Sequence, residues 1–296
     1  MSDAIAIEQA ALIGALEFHI DSGVRDFCMD GAEDMYAWGN QAPLALNAPA
    51  PISAPRPLAQ AQMPTPDVQF DDEDGAAPLG KAELIAAAHK ALESVESIDA
   101  LKAVIAKFDG LSIQKTASNI VFAEGDVNAP LMIINEIPQN DEDLSGKPFA
   151  GATRQIIDYA LQGIGLSSKN TDECSPNSSV YMSSLLNWRL PGNRSPQAAE
   201  IAVSRIFLEK HIALAQPKLV LLLGNTACKT MLECKTNINK LRGNWQTLKY
   251  AGSDVSTDDY LIMPSFHPSA LAGSAKNKKL FWQDMLAIKN KLNALK

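Results

Sequence analysis

The chain has 296 residues, 46% of them hydrophobic and 20% charged, which is ordinary for a globular protein of one domain with extensions. Its apolar runs are short, such as Leu219 to Leu223, so the sequence predicts no membrane span. The start carries no early lysine or arginine, and the four cysteines form no Cys-x-x-Cys pair. We therefore expect a cytoplasmic protein with reduced thiols, no zinc site and no membrane partner.

The formal net charge of −8 argues against a nucleic-acid partner, but the charge is unevenly distributed. Residues 1–80 carry 13 acidic and 2 basic side chains, whereas residues 189–296 carry 16 basic and 7 acidic ones. A basic C-terminal half is compatible with phosphate contacts, although scattered lysines are equally typical of a solvated surface.

The N-terminal 80 residues are predicted to lie outside the folded domain. Residues 1–30 form a helical segment, because apolar residues recur at helical spacing within 4–24. Residues 31–80 are rich in proline and alanine and end in an acidic run, which predicts a disordered linker. This acidic extension is a candidate for binding a protein partner or for screening the basic face.

From residue 81 the pattern changes to helices and strands in alternation. The sequence predicts helices at 81–107, 152–164, 197–215, 225–232 and 276–294, and strands at 119–123, 130–135, 180–186, 218–224 and 260–263. Such alternation predicts an α/β domain over residues 81–296. We expect three layers, α/β/α, around a central, mostly parallel four-stranded sheet. We expect a monomer.

Ligands of open parallel sheets bind beyond the carboxyl ends of the strands. That rule selects four loops, at 135–151, 184–196, 224–226 and 264–275.

The first of these loops places acidic residues, two prolines and Phe149 directly after a buried strand. Its composition fits a ligand loop, and equally a solvated acidic loop with Phe149 as a core residue. In the last loop, Pro268 restrains the backbone after His267, whose ring is either a ligand donor or structural. Leu271, if exposed at the loop tip, is a candidate wedge into a base stack, and otherwise an ordinary buried leucine.

Basic residues accompany these loops. Arg189 and Arg194, with Asn193 between them, lie among prolines and glycine, as suits a rigid loop that contacts phosphates. Lys276 and Lys279 open the last helix, where backbone amides also attract anions.

Several short motifs occur in one order along the chain. They read Asn-Glu-Ile-Pro-Gln at 135–139, Glu-Asp at 142–143, Gly-Lys-Pro-Phe-Ala-Gly at 146–151, Arg-Leu-Pro-Gly-Asn-Arg-Ser-Pro at 189–196, Leu-Gly-Asn-Thr-Ala at 223–227, Arg-Gly-Asn-Trp at 242–245, His-Pro-Ser at 267–269 and Trp-Gln-Asp at 282–284. Together they resemble the uracil-DNA glycosylase superfamily, most closely bacterial family 4 and its α-proteobacterial members. The resemblance covers about residues 95–294.

The resemblance implies an enzyme that hydrolyses the N-glycosidic bond of uracil, or another deaminated base, after rotating the nucleotide out of DNA. Glu136 and Glu142 would order the attacking water, and His267 would donate a hydrogen bond to the base oxygen that gains charge. The base would stack on Phe149, and no metal takes part in the chemistry. The implied base-binding residues are Phe149, Ser184, Pro138 and Gln139. The implied DNA-binding residues are Arg189, Asn193, Arg194, Ser269, Leu271, Lys276 and Lys279.

The chain also departs from the family pattern. Asn135 and Gln139 replace the glycines that begin and end the first motif, and Ile137 replaces its alanine. A glycine permits a close backbone approach that a side chain obstructs. Ser184 replaces the asparagine that reads the polar edge of uracil, and Gly273 stands where an arginine often follows.

The family's iron–sulfur cluster is predicted to be absent. The resemblance places its cysteines at Trp188, at Ser204 and around 108–111, where this chain has no cysteine. Three functions remain open at this stage: an active DNA glycosylase, a catalytically impaired DNA-binding or accessory protein that keeps the fold, and an unrelated small-molecule hydrolase.

Overall fold

The central sheet follows from two strands that are apolar along their whole length. A computed structural model describes residues 80–168, 179–248 and 260–295. In it, β2 (Leu131–Asn135) and β4 (Leu219–Leu223) pair in parallel, and every residue of both is buried. Alternate β2 side chains enter cores on opposite faces, since Met132 and Ile134 join one apolar cluster while Leu131 and Ile133 join the other.

The sheet contains six strands in the order β1-β3-β2-β4-β6-β5. Four are parallel, namely β2, β4, β3 (Val180–Ser184) and β6 (Tyr260–Ser265). The edge strands β1 (Ala123–Gly125) and β5 (Gln246–Leu248) are antiparallel. The mostly parallel α/β fold is confirmed, whereas the number of strands was underestimated, because three-residue, partly exposed edge strands carry no readable alternation.

Helices cover both faces of the sheet. The described helices are α1 (Lys81–Leu92), α2 (Ile98–Lys107), α3 (Asn140–Ser145), α4 (Gly151–Gly163), α5 (Ala198–Ala215), α6 (Asn225–Met231), α7 (Ile238–Leu241) and α8 (Ala275–Ala294). Side chains from α1, α2 and α5 fill one core, and those from α4 and α8 fill the other. Single 3₁₀ turns lie at Ser112–Lys115, Pro191–Asn193 and Pro268–Leu271. Among the helices of the described ranges, none is long and apolar enough to cross a membrane.

Two predicted elements differ from the observed ones. The single helix at 81–107 is wrong, because the chain breaks after α1 and restarts at Ser97, whose hydroxyl accepts a hydrogen bond from Ala100 N (3.2 Å). The strand at 119–123 begins only at Ala123, since Val121 N donates instead to the backbone oxygen of Asn187 (2.8 Å). The predicted N-terminal helical segment and the linker through residue 79 lie outside the described residues.

Candidate active site

The site is centred on Asn135, the last residue of β2 and only 1% exposed. Its Oδ1 accepts two hydrogen bonds, one from the backbone N–H of Glu136 (2.8 Å) and one from Nε2 of His267 (2.8 Å). Its Nδ2 donates to the backbone oxygen of Pro148 (2.6 Å). One amide therefore joins the loop after β2 to the loop after β6, as expected for loops at the same edge of a parallel sheet.

The contacts of His267 fix which ring nitrogen carries the proton. The backbone N–H of Ser269 donates to Nδ1 (3.2 Å), and the Ser269 hydroxyl lies 2.7 Å from the same nitrogen. A backbone N–H only donates, so Nδ1 is the acceptor and the proton sits on Nε2, facing Asn135. Burial lowers the pKa of His267 to about 4. The ring is therefore a neutral hydrogen-bond donor at neutral pH.

Glu136 follows β2, and its carboxylate packs against the loop that follows β4. It accepts a hydrogen bond from the backbone N–H of Thr226, in the first turn of α6. Gly224 has a φ of +95°, which favours glycine, and a β-carbon at this position would also overlap the Glu136 carboxylate. Both the backbone conformation and the close contact therefore require glycine here. Burial raises the pKa of Glu136, and its hydrogen bonds from Thr226 and Ala227 oppose that shift. The loop after β4, which neighbours β2 on the side away from β3, thus holds Glu136 in place.

Glu142 is 4% exposed and is held by three donors, two from its own loop and one from the first turn of α4. Oε2 accepts from Gln139 N (3.1 Å), while Oε1 accepts from Ala150 N (3.2 Å) and from the Thr153 hydroxyl (3.0 Å). These bonds close the loop around α3 and set the start of α4. They describe a structural carboxylate, and a role for Glu142 in ordering water stays a prediction.

Most of the predicted base-binding residues are buried. Phe149 is 0% exposed and packs in the core with Ile133, as the alternative of a core residue predicted. Ser184 is 2% exposed, and its hydroxyl donates to the backbone oxygen of Glu136 (3.4 Å). Pro138 is buried, whereas Gln139 is exposed. No part of the Phe149 ring is therefore open to solvent in this structure.

The predicted DNA-contacting arginines make different bonds. Arg189 donates from Nε to Asn193 Oδ1 (2.9 Å) and from Nη1 to Asn140 Oδ1 (3.0 Å), which ties its loop to α3. Arg194 forms a two-pronged ion pair with the buried Glu200, at 2.5 and 2.9 Å. Its guanidinium therefore has a protein partner already.

The other predicted DNA contacts lie around the loop after β6. Ser269, Lys276 and Lys279 are exposed there. Leu271 is 1% exposed, as the alternative of an ordinary buried leucine predicted, and its use as a wedge stays a prediction. The 3₁₀ turn Pro268–Leu271 directs its side chain into the core shared by α4 and α8. A leucine in the base stack would require this turn to change.

Two motifs of the sequence meet in a buried ion pair away from these residues. Arg242 Nε donates to Asp284 Oδ2 (3.1 Å), and the Ser265 hydroxyl donates to the same oxygen (2.5 Å). Asp284 is 1% exposed. The pair fastens α8 to the end of β6 and so positions the loop that carries His267. The sequence did not predict this ion pair, since only the match to the family's motifs drew attention to Arg242 and Asp284.

The positions that the resemblance assigned to an iron–sulfur cluster do not fit one. Trp188 is 3% exposed, Ser204 1% and Phe108 8%, and Phe108 packs edge-on against Phe207 at 5.2 Å between ring centroids. These side chains offer no thiolate. Within residues 80–168, 179–248 and 260–295, no group of three or more His, Cys, Asp or Glu side chains is placed to hold a metal.

Comparison with known proteins identifies the family. The model of the uracil DNA glycosylase superfamily matches residues 122–286, which is more than half of the chain. A type-4 uracil-DNA glycosylase of Saccharolobus solfataricus is 26% identical over 205 residues, or 68% of this chain and 88% of the relative. A type-4 uracil-DNA glycosylase of Thermotoga maritima is 28% identical over 162 residues, or 54% of this chain and 76% of the relative. Since the matched region contains β2, the loop of His267 and the strands between them, the chain belongs to the uracil DNA glycosylase superfamily.

Proposed function

We propose that the protein is a DNA glycosylase that hydrolyses the N-glycosidic bond of uracil, or another deaminated base, in DNA. The observation that carries the proposal is that two N–H donors, His267 Nε2 and Glu136 N, converge on one carbonyl oxygen. That oxygen is Oδ1 of the Asn135 side chain, and each donor lies 2.8 Å from it. Negative charge develops on a base carbonyl as the glycosidic bond breaks, and paired donors stabilise such charge. The names of the relatives support the choice of a uracil-DNA glycosylase.

Each residue of the site has a part in this reaction. His267, neutral and already protonated on Nε2, donates to the base oxygen without giving up its proton. Glu136, whose carboxylate accepts a hydrogen bond from the backbone N–H of Thr226, orders water and offsets positive charge on the sugar in this proposal. Phe149 stacks on the base once the pocket opens, and Ser184 offers one hydroxyl to its polar edge. No step requires a metal.

The DNA-facing surface is assigned from exposure and charge. Lys276, Lys279 and Ser269 lie exposed near the loop of His267 and contact phosphates in this proposal. Arg189 and Asn193 extend the surface from the loop after β3, where they are already hydrogen-bonded to each other. Arg194 acts through its pair with Glu200, which fixes this loop.

The second candidate is a DNA-binding or accessory protein that keeps the fold without excising bases. It is favoured by the covered ring of Phe149 and by Ser184, which has one donor where the family has an amide. The two candidates differ in one observable: the accessory protein binds uracil-containing DNA and releases no base.

The test uses single- and double-stranded oligonucleotides that contain uracil, hypoxanthine or xanthine. Abasic sites are cleaved with alkali after incubation with excess full-length protein. Release of one of these bases, lost in His267→Ala, supports the glycosylase. Binding without release of any base supports the accessory protein. If the protein neither binds this DNA nor releases a base from it, both candidates are rejected.

A further inference from the structure

We infer that the side chain of Asn135 is an internal occupant of the base pocket, and that it must leave before a base can bind. The inference rests on the proposed function, because it assigns the pocket to a base. It adds that the wild-type site is closed by its own amide, and it names the chemical edge that the pocket recognises.

The hydrogen bonds of Asn135 are those expected of a bound ligand. Its Oδ1 takes both donors of the site, so no donor is left for a base carbonyl while the amide stays in place. Its Nδ2 takes a backbone acceptor, Pro148 O, at 2.6 Å. Every polar atom of this side chain is therefore satisfied by a group that a ligand would otherwise use.

The surroundings leave the amide no open face. Asn135 is 1% exposed, Phe149 0% and Ser184 2%, and Pro138 is buried as well. A planar base has to lie between the ring of Phe149 and these loops. It can do so only when the Asn135 side chain rotates away or is missing, since two groups cannot occupy one close-packed volume.

The bonding pattern also identifies the ligand class. The amide presents a carbonyl oxygen to two donors and, on the same carbon, an N–H to an acceptor. A base with a C=O next to a ring N–H reproduces this pattern, as uracil, hypoxanthine and xanthine do. The two donors and the acceptor that Asn135 uses therefore match this edge of uracil, hypoxanthine and xanthine.

The substitution that opens the pocket is Asn135→Gly. It removes the occupant, leaves both donors in place and leaves Pro148 O free to accept. Asn135→Ala is the second variant, in case glycine at the end of β2 weakens folding. Asn187→Ala is the matched control, because Asn187 is 4% exposed and donates one bond to the backbone oxygen of Val121 (3.0 Å) outside the pocket. All variants are made in the full-length chain.

The experiment has two readouts. The first is the single-turnover rate of uracil release from a single-stranded oligonucleotide. The second is the NMR shift of the His267 Nε2–H proton when free uracil is added, which needs no turnover. We expect Asn135→Gly to release uracil at least about ten times faster than wild type and to bind free uracil with a shift of this proton. Asn187→Ala should match wild type in both.

The outcomes separate the inference from the proposed function. If wild type releases uracil in a His267-dependent way, and neither Asn135 variant is faster or binds free uracil more tightly, the inference is overturned and the proposed function stands. If folded Asn135→Gly neither binds uracil nor releases it, the inference is again overturned. The proposed function falls with it only if wild type and variants also leave hypoxanthine and xanthine in place.

Discussion

The hydrogen bond from His267 to the leaving base is the most direct prediction for the chemistry. In the present structure the His267 ring is neutral, carries its proton on Nε2 and lies 2.8 Å from Asn135 Oδ1, its present acceptor. His267→Ala removes one of two converging donors and leaves Glu136 N in place. One donor that stabilises developing charge contributes about 3–4 kcal/mol, so we expect base release to slow about 10²–10³-fold.

The assay is single-turnover release of uracil at pH 7.5, in the wild-type background and in Asn135→Gly. The second background ensures a measurable rate if the closed pocket makes wild type slow. His89→Ala is the control, because His89 is an exposed histidine on α1. A loss of tenfold or less in both backgrounds would refute the donor role, since solvent could then replace the ring.

The same prediction has a pH dependence. Protonation of His267 would put a proton on Nδ1, opposite the backbone N–H of Ser269, and two donors cannot share a bond. With a pKa of about 4, this change occurs only in acid. The His267-dependent part of the rate should therefore stay constant from pH 8 down to about 5.5 and fall towards pH 4. A loss centred near pH 6.5, the ordinary value for histidine, would contradict the assigned state of the ring.

Three further predictions concern DNA binding and stability. Lys276→Ala and Lys279→Ala should each weaken DNA binding evenly across sequences and reduce the salt slope by about 1, measured by fluorescence anisotropy; an unchanged slope rejects these contacts. Asp284→Ala takes away the carboxylate that pairs with the largely buried Arg242, which keeps its bond to the backbone oxygen of Leu280. The change should lower the free energy of unfolding in urea by about 3–5 kcal/mol, and a loss below about 1 kcal/mol would show that the pair is dispensable. His211, 2% exposed, has its pKa lowered from 6.5 to about 3 by burial. Because the unfolded state binds the proton first, His211 should cost about 2 kcal/mol of stability between pH 7 and 5, and His211→Gln should remove that dependence, whereas an identical dependence in both proteins contradicts it.

The sequence predicted the fold because the buried strands carry strong patterns. The runs at β2 and β4 are apolar on both faces, which only a covered parallel strand requires, and the helices between them have clear lengths. The antiparallel edge strands could not be predicted in the same way. Their three residues pair with one neighbour, and burial on one side leaves too little alternation to read.

The site was predicted less completely, because position in sequence does not tell which way a side chain points. The motif positions of Glu136, Phe149 and His267 are brought to one edge of the sheet, as expected. The sequence predicts that Asn135, which replaces a glycine of the family motif, obstructs a close backbone approach. Its bonding to both donors of the site depends on a rotamer that no sequence pattern encodes. The burial of Leu271 likewise depends on where a single 3₁₀ turn directs its side chain.

The positions at which the sequence is predicted to depart from the family pattern lie in two kinds of environment. At positions that the resemblance assigned to cluster cysteines, Trp188 and Phe108 belong to the apolar core that joins α1, α2 and α5 to the sheet. Buried aromatic side chains stabilise a fold by area and close packing, so the loops can be held without a cluster. Asn135 acts differently, because it adds hydrogen bonds at the reacting position itself. If the amide occupies the base pocket, the hydrogen bonds that it makes in the empty site are lost when a base enters, so Asn135 slows entry of the base.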